Sequence, residues 1–382
     1  MKRVLIVDDS ALMRRLMTEM LSEAGFEVAA ARTGVEGVNR LTEWHPDVVT
    51  LDINMPEMDG LTALSLLMQA RPTPVVMVSS LTEQGTQATL EALALGAVDF
   101  VHKPGGTISL SMDQVREELV GKVRAAAQAQ PRRPSGLNRD RSQRPALSSS
   151  GGGNSPRPEF PARSPRVAAP APARFFPAAQ AQASGVATEE LPGLVLIGVS
   201  TGGPRTLEDI LPQLPENFPW AVLVAQHMPP HFTESFAQRM NGLCRLTVRE
   251  CSAPTPLTPG MVLIAKGGCD MIVTEQLGRL VAQPRPESPA HPWHPSVDVL
   301  VESAMRRLPA QRLIGVLLTG MGDDGAASMT RLRQSGGRTV AESSDSAVVF
   351  GMPAELIRLG GASVVRPSSG IAQQIQHWIS AS

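Results

Sequence analysis

Tyrosine is missing from all 382 residues, and aromatic side chains of every kind amount to 3%. Proteins that hold single-stranded nucleic acid do so largely by stacking bases on aromatic rings, so such a platform is not expected. Cysteine is scarce: Cys244, Cys251 and Cys269 are too few and too irregularly spaced for a disulfide framework or a zinc site, and read as small apolar residues. An excess of either charge is lacking too, with 35 basic against 36 acidic residues, so no global field draws in nucleic acid or anionic lipid. No apolar run approaches the roughly 18 residues of a membrane span. The start, Met-Lys-Arg followed by an apolar run and Asp8-Asp9, lacks the form of a signal peptide. A cytoplasmic protein with no direct membrane insertion is therefore expected. No repeat of fixed period appears.

What is present is a chain long enough for two or three domains, divided by a change in composition. Residues 131–180 hold ten Pro, Gly-Ser runs such as Ser148 to Gly153, and nine Arg against Asp140 and Glu159, a net charge of +7. Such a stretch buries too little apolar area to offset its ordering entropy, which predicts a disordered tether rather than a domain. The expected organisation is residues 1–125, a linker over 126–189, and residues 190–382. Its fold class is α/β: two doubly wound parallel-sheet domains joined by a long disordered linker.

In the first part, short apolar runs each end at a chemically distinctive residue. Val4 to Val7 leads into Asp8 and Asp9, Val48 to Leu51 into Asp52, Val75 to Val78 into Ser79, and Val98 to Val101 is soon followed by Lys103. Runs of this kind read as strands buried on both faces of a parallel sheet. Between them lie helical stretches such as 10–24, with Ser10 as N-cap and Leu12, Leu16, Met20 and Leu21 as its apolar face. Side chains just past the carboxyl ends of parallel strands converge on one crevice. Taken singly, an Asp after a strand is more often a helix N-cap; together, three carboxylates repel one another unless a cation is present. Oxygen ligands without His or Cys favour Mg²⁺. A carboxylate so neutralised can attack a phosphoryl donor, and Asp52, alone at its strand end, is the expected acceptor. Lys103 would pair with the phosphate and Ser79 would hydrogen-bond to it. A cis Lys103–Pro104 bond would fix the lysine, although X–Pro bonds are trans far more often.

Asp-Asp-Ser at 8–10, Leu-Asp-Ile-Asn-Met-Pro-Glu-Met-Asp-Gly at 51–60, Met-Val-Ser-Ser at 77–80 and Phe-Val-His-Lys-Pro at 100–104 closely resemble the receiver domain of bacterial response regulators. The resemblance implies that Asp52 is the phosphorylation site. It implies also that Asp8, Asp9 and Asp52 hold Mg²⁺ with the backbone of Asn54, and that Ser79 and Phe100 form the switch pair beside Lys103. Phe100 stands where many receivers have Tyr, so the ring that swings carries no hydroxyl.

Buried runs resume at Leu194 to Val199, which leads into Ser200-Thr201-Gly202-Gly203-Pro204 with a helix starting near Arg205. Ala221 to Ala225 leads into Gln226-His227, and Leu313 to Thr319 into Gly320-Met321-Gly322-Asp323-Asp324-Gly325. If these strands are parallel neighbours, a serine, a histidine and an aspartate share one sheet edge. A serine hydroxyl needs a base within hydrogen-bond reach, and the imidazole needs a carboxylate on its other nitrogen. Asp323 and Asp324 compete for that last role. Gly198-Val199-Ser200-Thr201-Gly202 fits the nucleophile elbow G-x-S-x-G, yet the order Ser, His, acid departs from that of the α/β-hydrolases. A phosphate-cradling reading of the same loop lacks both a P-loop lysine and a full G-x-G-x-x-G.

Ile-Gly-Val-Ser-Thr-Gly-Gly-Pro (197–204), Gln-His-Met-Pro (226–229), His-Pro-Ser-Val-Asp-Val-Leu (294–300) and Leu-Thr-Gly-Met-Gly-Asp-Asp-Gly (318–325) resemble the CheB family of chemotaxis protein-glutamate methylesterases. That resemblance implies a triad of Ser200, His227 and Asp324. It implies hydrolysis of glutamate methyl esters on methyl-accepting chemoreceptors without a cofactor for the esterase step, with Gln deamidation as a second activity. Control by a CheA-type histidine kinase is implied, with no nucleic acid as partner. Backbone N–H groups around Met321 and the Ser200 turn would hold the oxyanion. Asp323 stands where the family commonly has Asn, and a second charge there is expected to raise the pKa of one of the pair. A DNA-binding output is the rival reading, and the balance of 15 basic against 15 acidic residues over 191–382 counts against it.

Overall fold

The computed structural model describes residues 1–79, 82–103, 112–129 and 191–380. The linker expected over 126–189 lies outside the described residues from 130 onward, as does the Lys103–Pro104 bond.

The first domain is a five-stranded parallel sheet in the order β2-β1-β3-β4-β5, from β1 (Arg3–Val7), β2 (Glu27–Ala31), β3 (Val48–Asp52), β4 (Val75–Ser79) and β5 (Asp99–His102). Every residue of β3, β4 and β5 is buried, as a sheet covered by helices on both faces requires. Those helices are α1 (Ala11–Glu23), α2 (Gly34–Trp44), α3 (Gly60–Ala70), α4 (Glu83–Leu95) and α5 (Met112–Ala126). Side-chain caps start four of them: Ser10, Thr33, Asp59 and Thr82 accept from the backbone N–H groups of Met13, Glu36, Thr62 and Gly85. The inward face of α1 differs from expectation. Met13, Met17, Met20 and Leu21 are buried while Leu12 is 65% exposed. Helical spacing from Met13 through Met17 to Met20 and Leu21 sets the stripe that meets the sheet, and Leu12 falls outside it.

The second domain is a seven-stranded parallel sheet in the order β15-β14-β13-β6-β7-β10-β8. Its strands are β6 (Leu194–Val199), β7 (Ala221–Gln226), β8 (Thr247–Cys251), β10 (Met261–Ala265), β13 (Leu313–Leu317), β14 (Arg338–Glu342) and β15 (Val364–Arg366). Around it lie α6 (Gly203–Ile210), α7 (Pro230–Leu243), α8 (Val297–Met305), α9 (Ala326–Gln334), α10 (Met352–Arg358) and α11 (Ser368–Ser380). Strand β6 is central, with β7 on one side and β13 on the other. The chain therefore leaves β6 in one direction and returns on its opposite flank, which opens a crevice at the carboxyl ends. A small antiparallel sheet of β9 (Thr255–Pro256), β11 (Asp270–Gln276) and β12 (Arg279–Arg285), ordered β11-β12-β9, was not expected. Its hairpin turns at Leu277 and Gly278, both at positive φ, the backbone a two-residue type I′ turn needs.

Candidate active site and phosphoacceptor pocket

Register explains why the acidic residues of the first domain meet. Val7 pairs with Leu51 across β1 and β3, so Asp8 and Asp52 emerge side by side from the strands where the sheet order reverses. Ligand oxygens of Asp8, Asp9 and Asp52 lie within 4.8 Å of one another. Asp8 and Asp52 are fully buried and Asp9 is exposed. The Lys103 ammonium reaches Oδ2 of Asp52 at 2.6 Å and Oδ2 of Asp8 at 3.3 Å. The Asn54 N–H donates to Oδ1 of Asp52 at 3.2 Å. Burial, and then the charge of Asp8, raise the Asp52 carboxyl above its ordinary value despite Lys103. Burial by itself would lower Lys103, but the hydrogen bond and charge of Asp52 outweigh it and push the ammonium up. Two buried carboxylates and one exposed, with a single lysine between them, leave negative charge in excess. An all-oxygen set this close fits a hard divalent cation such as Mg²⁺. Ser79 Oγ donates to the Gly85 carbonyl at 3.4 Å.

In the second domain the register is equally direct. Val199 pairs with Gln226, so Ser200 and His227 leave adjacent strands together. The Ser200 N–H donates to the Thr319 carbonyl at 2.9 Å and that of His227 to Val199 at 3.0 Å. Gly320 follows immediately: a Cβ there would sit 2.6 Å from that of Ser200, so only glycine lets the Gly320–Met321 segment lie against the serine. Asp324, not Asp323, meets the histidine. His227 Nε2 lies 2.8 Å from Asp324 Oδ2, whereas Asp323 is exposed.

The choice between the two aspartates is made by α8. Ser296, its N-cap, donates through Oγ to Asp324 Oδ1 at 3.1 Å, and the N–H groups of Val297 and Asp298 donate at 2.7 and 3.0 Å. A carboxylate at a helix N-terminus satisfies N–H groups that have no partner within the helix. Burial would raise Asp324, but the bond to His227 and these N–H groups outweigh it and hold the carboxyl below its ordinary value. The expected rise caused by Asp323 is not found at Asp324. The raised carboxyl is Asp298, lifted by burial and in part by Asp324 itself. An ionised Asp324 only accepts, so Nε2 carries the imidazole proton and Nδ1 is left as the basic atom. Nδ1 is buried without a hydrogen-bond partner. The Ser200–His227 bond is thus not closed here; catalytic bonds often tighten only when substrate is bound.

Two residues here were not anticipated. Trp293 lies flat against the His227 imidazole, with ring centroids 5.1 Å apart and planes 6° apart. Gln226 Nε2 donates to the carbonyls of both Ser200 and His227, at 3.1 and 3.0 Å. Gln226 immediately precedes His227 and could have drawn notice; Trp293 carried no signal of period or spacing. A cleft opens beside Asp324, lined among others by Trp293, Asp298 and Asp323. Ser200 and His227 do not line it.

The described residues of the two domains fall in one compact unit, and the first domain touches the turn that carries Ser200. Thr201 Oγ1 donates to Asp99 Oδ2 at 2.6 Å, and the Gly202 N–H to the Val98 carbonyl at 3.1 Å. The Phe100 ring packs on Phe232 at 4.3 Å, with His102 at 5.3 Å from the same ring. A Cβ built on Gly121 of α5 would lie 3.5 Å from the Met321 methyl. Lys122 sits 4.8 Å from the Phe100 ring centroid, between Asp99 at 3.4 Å and Glu118 at 2.9 Å.

Residues 195–375 match the family model of the CheB methylesterase and residues 4–112 that of the response regulator receiver domain. A Rhodospirillum rubrum protein named protein-glutamate methylesterase/protein-glutamine glutaminase 3 is 53% identical over 381 residues, covering 100% of this chain and 97% of its own. One from Rhodopseudomonas palustris, named protein-glutamate methylesterase/protein-glutamine glutaminase 2, is 48% identical over 99% of this chain and 98% of its own. Among solved structures, the Thermotoga maritima CheB methylesterase catalytic domain is 37% identical, covers 50% of this chain and 98% of its own, and has a TM-score of 0.47.

Proposed function

Since the chain belongs to the CheB methylesterase family and carries a response regulator receiver domain ahead of the catalytic part, we propose that it hydrolyses glutamate methyl esters on chemoreceptors under control of phosphorylation at Asp52. The observation that carries this reading is the pairing of His227 Nε2 with Asp324 at 2.8 Å beside Ser200, on a sheet edge that the receiver contacts. Names given to the relatives support both ester hydrolysis and glutamine hydrolysis.

Ser200 Oγ attacks the ester carbonyl carbon while His227 Nδ1 takes the hydroxyl proton. The resulting imidazolium is held by Asp324, whose depressed pKa keeps it ionised as acceptor. Backbone N–H groups at Met321 and the Ser200 turn receive the oxyanion. Collapse breaks the carbon–methoxy bond, and the proton on Nδ1 leaves with methanol. Water then attacks the acyl-enzyme with His227 again as base, freeing glutamate and Ser200. With glutamine in place of the ester the leaving group is ammonia.

In the receiver, an Asp52 oxygen attacks the phosphorus of the kinase phosphohistidine; the phosphorus–nitrogen bond breaks as the acyl phosphate forms, and the kinase imidazole leaves. Asp8, Asp9, Asp52 and the Asn54 carbonyl would hold Mg²⁺, which when bound neutralises the clustered carboxylates and the incoming phosphoryl group. Lys103 exchanges its contact with Asp52 for the phosphate, and Ser79 closes on it. Phe100 is the switch ring, and its packing on Phe232 ties that switch to the esterase. Phosphorylation so biases a docked against a released arrangement. No described helix is long and apolar enough to cross a membrane; a reaction in the cytoplasm is part of the same proposal, because a kinase and a receptor methylation region there would both have to reach this chain.

The test is methanol release from membranes bearing methylated receptor, with and without a small phosphodonor and Mg²⁺. Ser200→Ala is expected to abolish release, and Asp52→Asn to leave a basal rate that no phosphodonor raises. Methanol release by Ser200→Ala would remove Ser200 from the mechanism, and stimulation of Asp52→Asn would put the phosphate elsewhere.

A further inference from the structure

The imidazole of His227 is held at Nε2 by Asp324 and at Cγ by its own Cβ, and because Nε2 lies close to the line of the Cβ–Cγ bond, the ring plane can still change by rotation about that bond. The lone pair of Nδ1 lies in the ring plane. Whether it meets the Ser200 proton therefore depends on what sets that plane. Trp293 lies against one face of the ring, parallel to within 6° at 5.1 Å, an offset stack of the kind aromatic pairs prefer. Gly322, at φ +90°, runs beside the indole, where a Cβ would lie at van der Waals distance, 3.5 Å, from Trp293 Cζ2. The turn that delivers Asp324 to one edge of the imidazole is thus also a neighbour of the indole that lies against its face.

We propose that Trp293 is a positioning residue for the general base, acting through His227 and not through the substrate. This rests on the esterase reading of the site. The indole does two things that a bulky aliphatic side chain in its place would not. It limits the imidazole planes from which Nδ1 can close on the nucleophile when substrate is bound, and it presents a π face to the imidazolium that forms when Ser200 loses its proton. The second contribution exists only after proton transfer has begun, so it acts on kcat and not on KM.

Trp293→Leu keeps an apolar side chain of substantial size without the flat face; Trp293→Phe keeps a face. Both are compared with the parent chain, phosphodonor present, in two assays: methanol release from methylated receptor, and the rate at which a serine-directed phosphonate labels Ser200. Trp293→Leu should lower kcat and the labelling rate about 10-fold, the size of one such contact, with KM within about 2-fold and an unchanged thermal midpoint. Trp293→Phe should stay within about 3-fold of the parent. Unchanged kcat and labelling in Trp293→Leu would overturn the proposal, as would a loss confined to KM. A Trp293→Phe defect as deep as that of Trp293→Leu would overturn it too, because a ring face would then not be what matters. Because labelling needs no receptor, a parent chain that labels at Ser200 yet releases no methanol would sink the substrate assignment while leaving the positioning role measurable.

Discussion

Asp99→Ala is the perturbation that most directly probes how the receiver restrains the esterase. Asp99 Oδ2 accepts from the hydroxyl of Thr201, the residue after the nucleophile, at 2.6 Å, in a buried and charge-assisted bond. Removing the acceptor costs the docked arrangement about 1.5–3 kcal/mol. The released arrangement loses little, because water serves Thr201 there. Lys122 keeps Glu118 at 2.9 Å, so no cation is stranded. The docked-to-released ratio should fall about 10- to 150-fold. If about 1% of the chains are released at rest, the released fraction becomes roughly 10% to 60%. Phosphonate labelling of Ser200 without phosphodonor should then rise by about the same factor, 10- to 60-fold, and the further gain on adding phosphodonor should shrink accordingly. Thr201→Ser, which keeps the hydroxyl, should behave as the parent. A folded Asp99→Ala chain whose unstimulated labelling stays within about 2-fold of the parent would refute the reasoning, since 1.5 kcal/mol alone predicts about 10-fold.

Two titrations follow from the buried carboxylates. Asp52 has its pKa raised in the folded chain, chiefly by burial, so its ionisation opposes folding, and the stability seen at low pH is lost as pH rises through the folded value. Asp52→Asn should therefore raise the receiver's thermal midpoint at neutral pH, measured by calorimetry without Mg²⁺; a lower midpoint would mean that the Lys103 pairing outweighs desolvation. Asp324 has its pKa lowered, so its contribution is present above the ordinary value of 3.8 and is lost as pH falls through the folded one. Urea unfolding should show Asp324→Asn less stable than the parent at pH about 6, the gap closing below pH about 4; a gap independent of pH would assign the loss to geometry alone.

Legibility in the sequence followed the range of the interactions involved. Buried strands declare themselves locally, and β6 spans the Leu194–Val199 run read from composition. Once parallel neighbours are assumed, residues one position past those strands meet, and that is how Asp8 with Asp52 and Ser200 with His227 came together. Asp323 and Asp324 could not be told apart locally, because the choice is made by N–H groups of α8 from more than 25 residues earlier in the chain. Leu12 misled because one apolar residue in a first turn says nothing of which side faces the sheet. Trp293 and the β11–β12 hairpin were missed because neither is part of an apolar run that ends at a reactive residue. Two of the three cysteines fit the apolar reading: burial pushes Cys244 up to about 11 and Cys251 to about 12, so neither is a thiolate at neutral pH.

The four-residue strand β5 is where the two chemistries come within reach of one another. Just beyond its end, Lys103 holds Asp52 at 2.6 Å; Asp99, at its start, holds Thr201, while Phe100 packs on Phe232. Its backbone is tied to β4 along its length, including the pairing of Ser79 with His102, so a displacement at Lys103 is not absorbed by slack in a loop. A packed strand of this kind moves as a unit or not at all. That gives phosphorylation at one crevice a short mechanical route to the nucleophile turn at the other. On β5 the contacts at risk are one hydrogen bond and the packing of Phe100 and His102 on Phe232; at about 1–3 kcal/mol each, such contacts are of the size that a single phosphoryl group, with its 1–3 new charge-assisted hydrogen bonds, can offset.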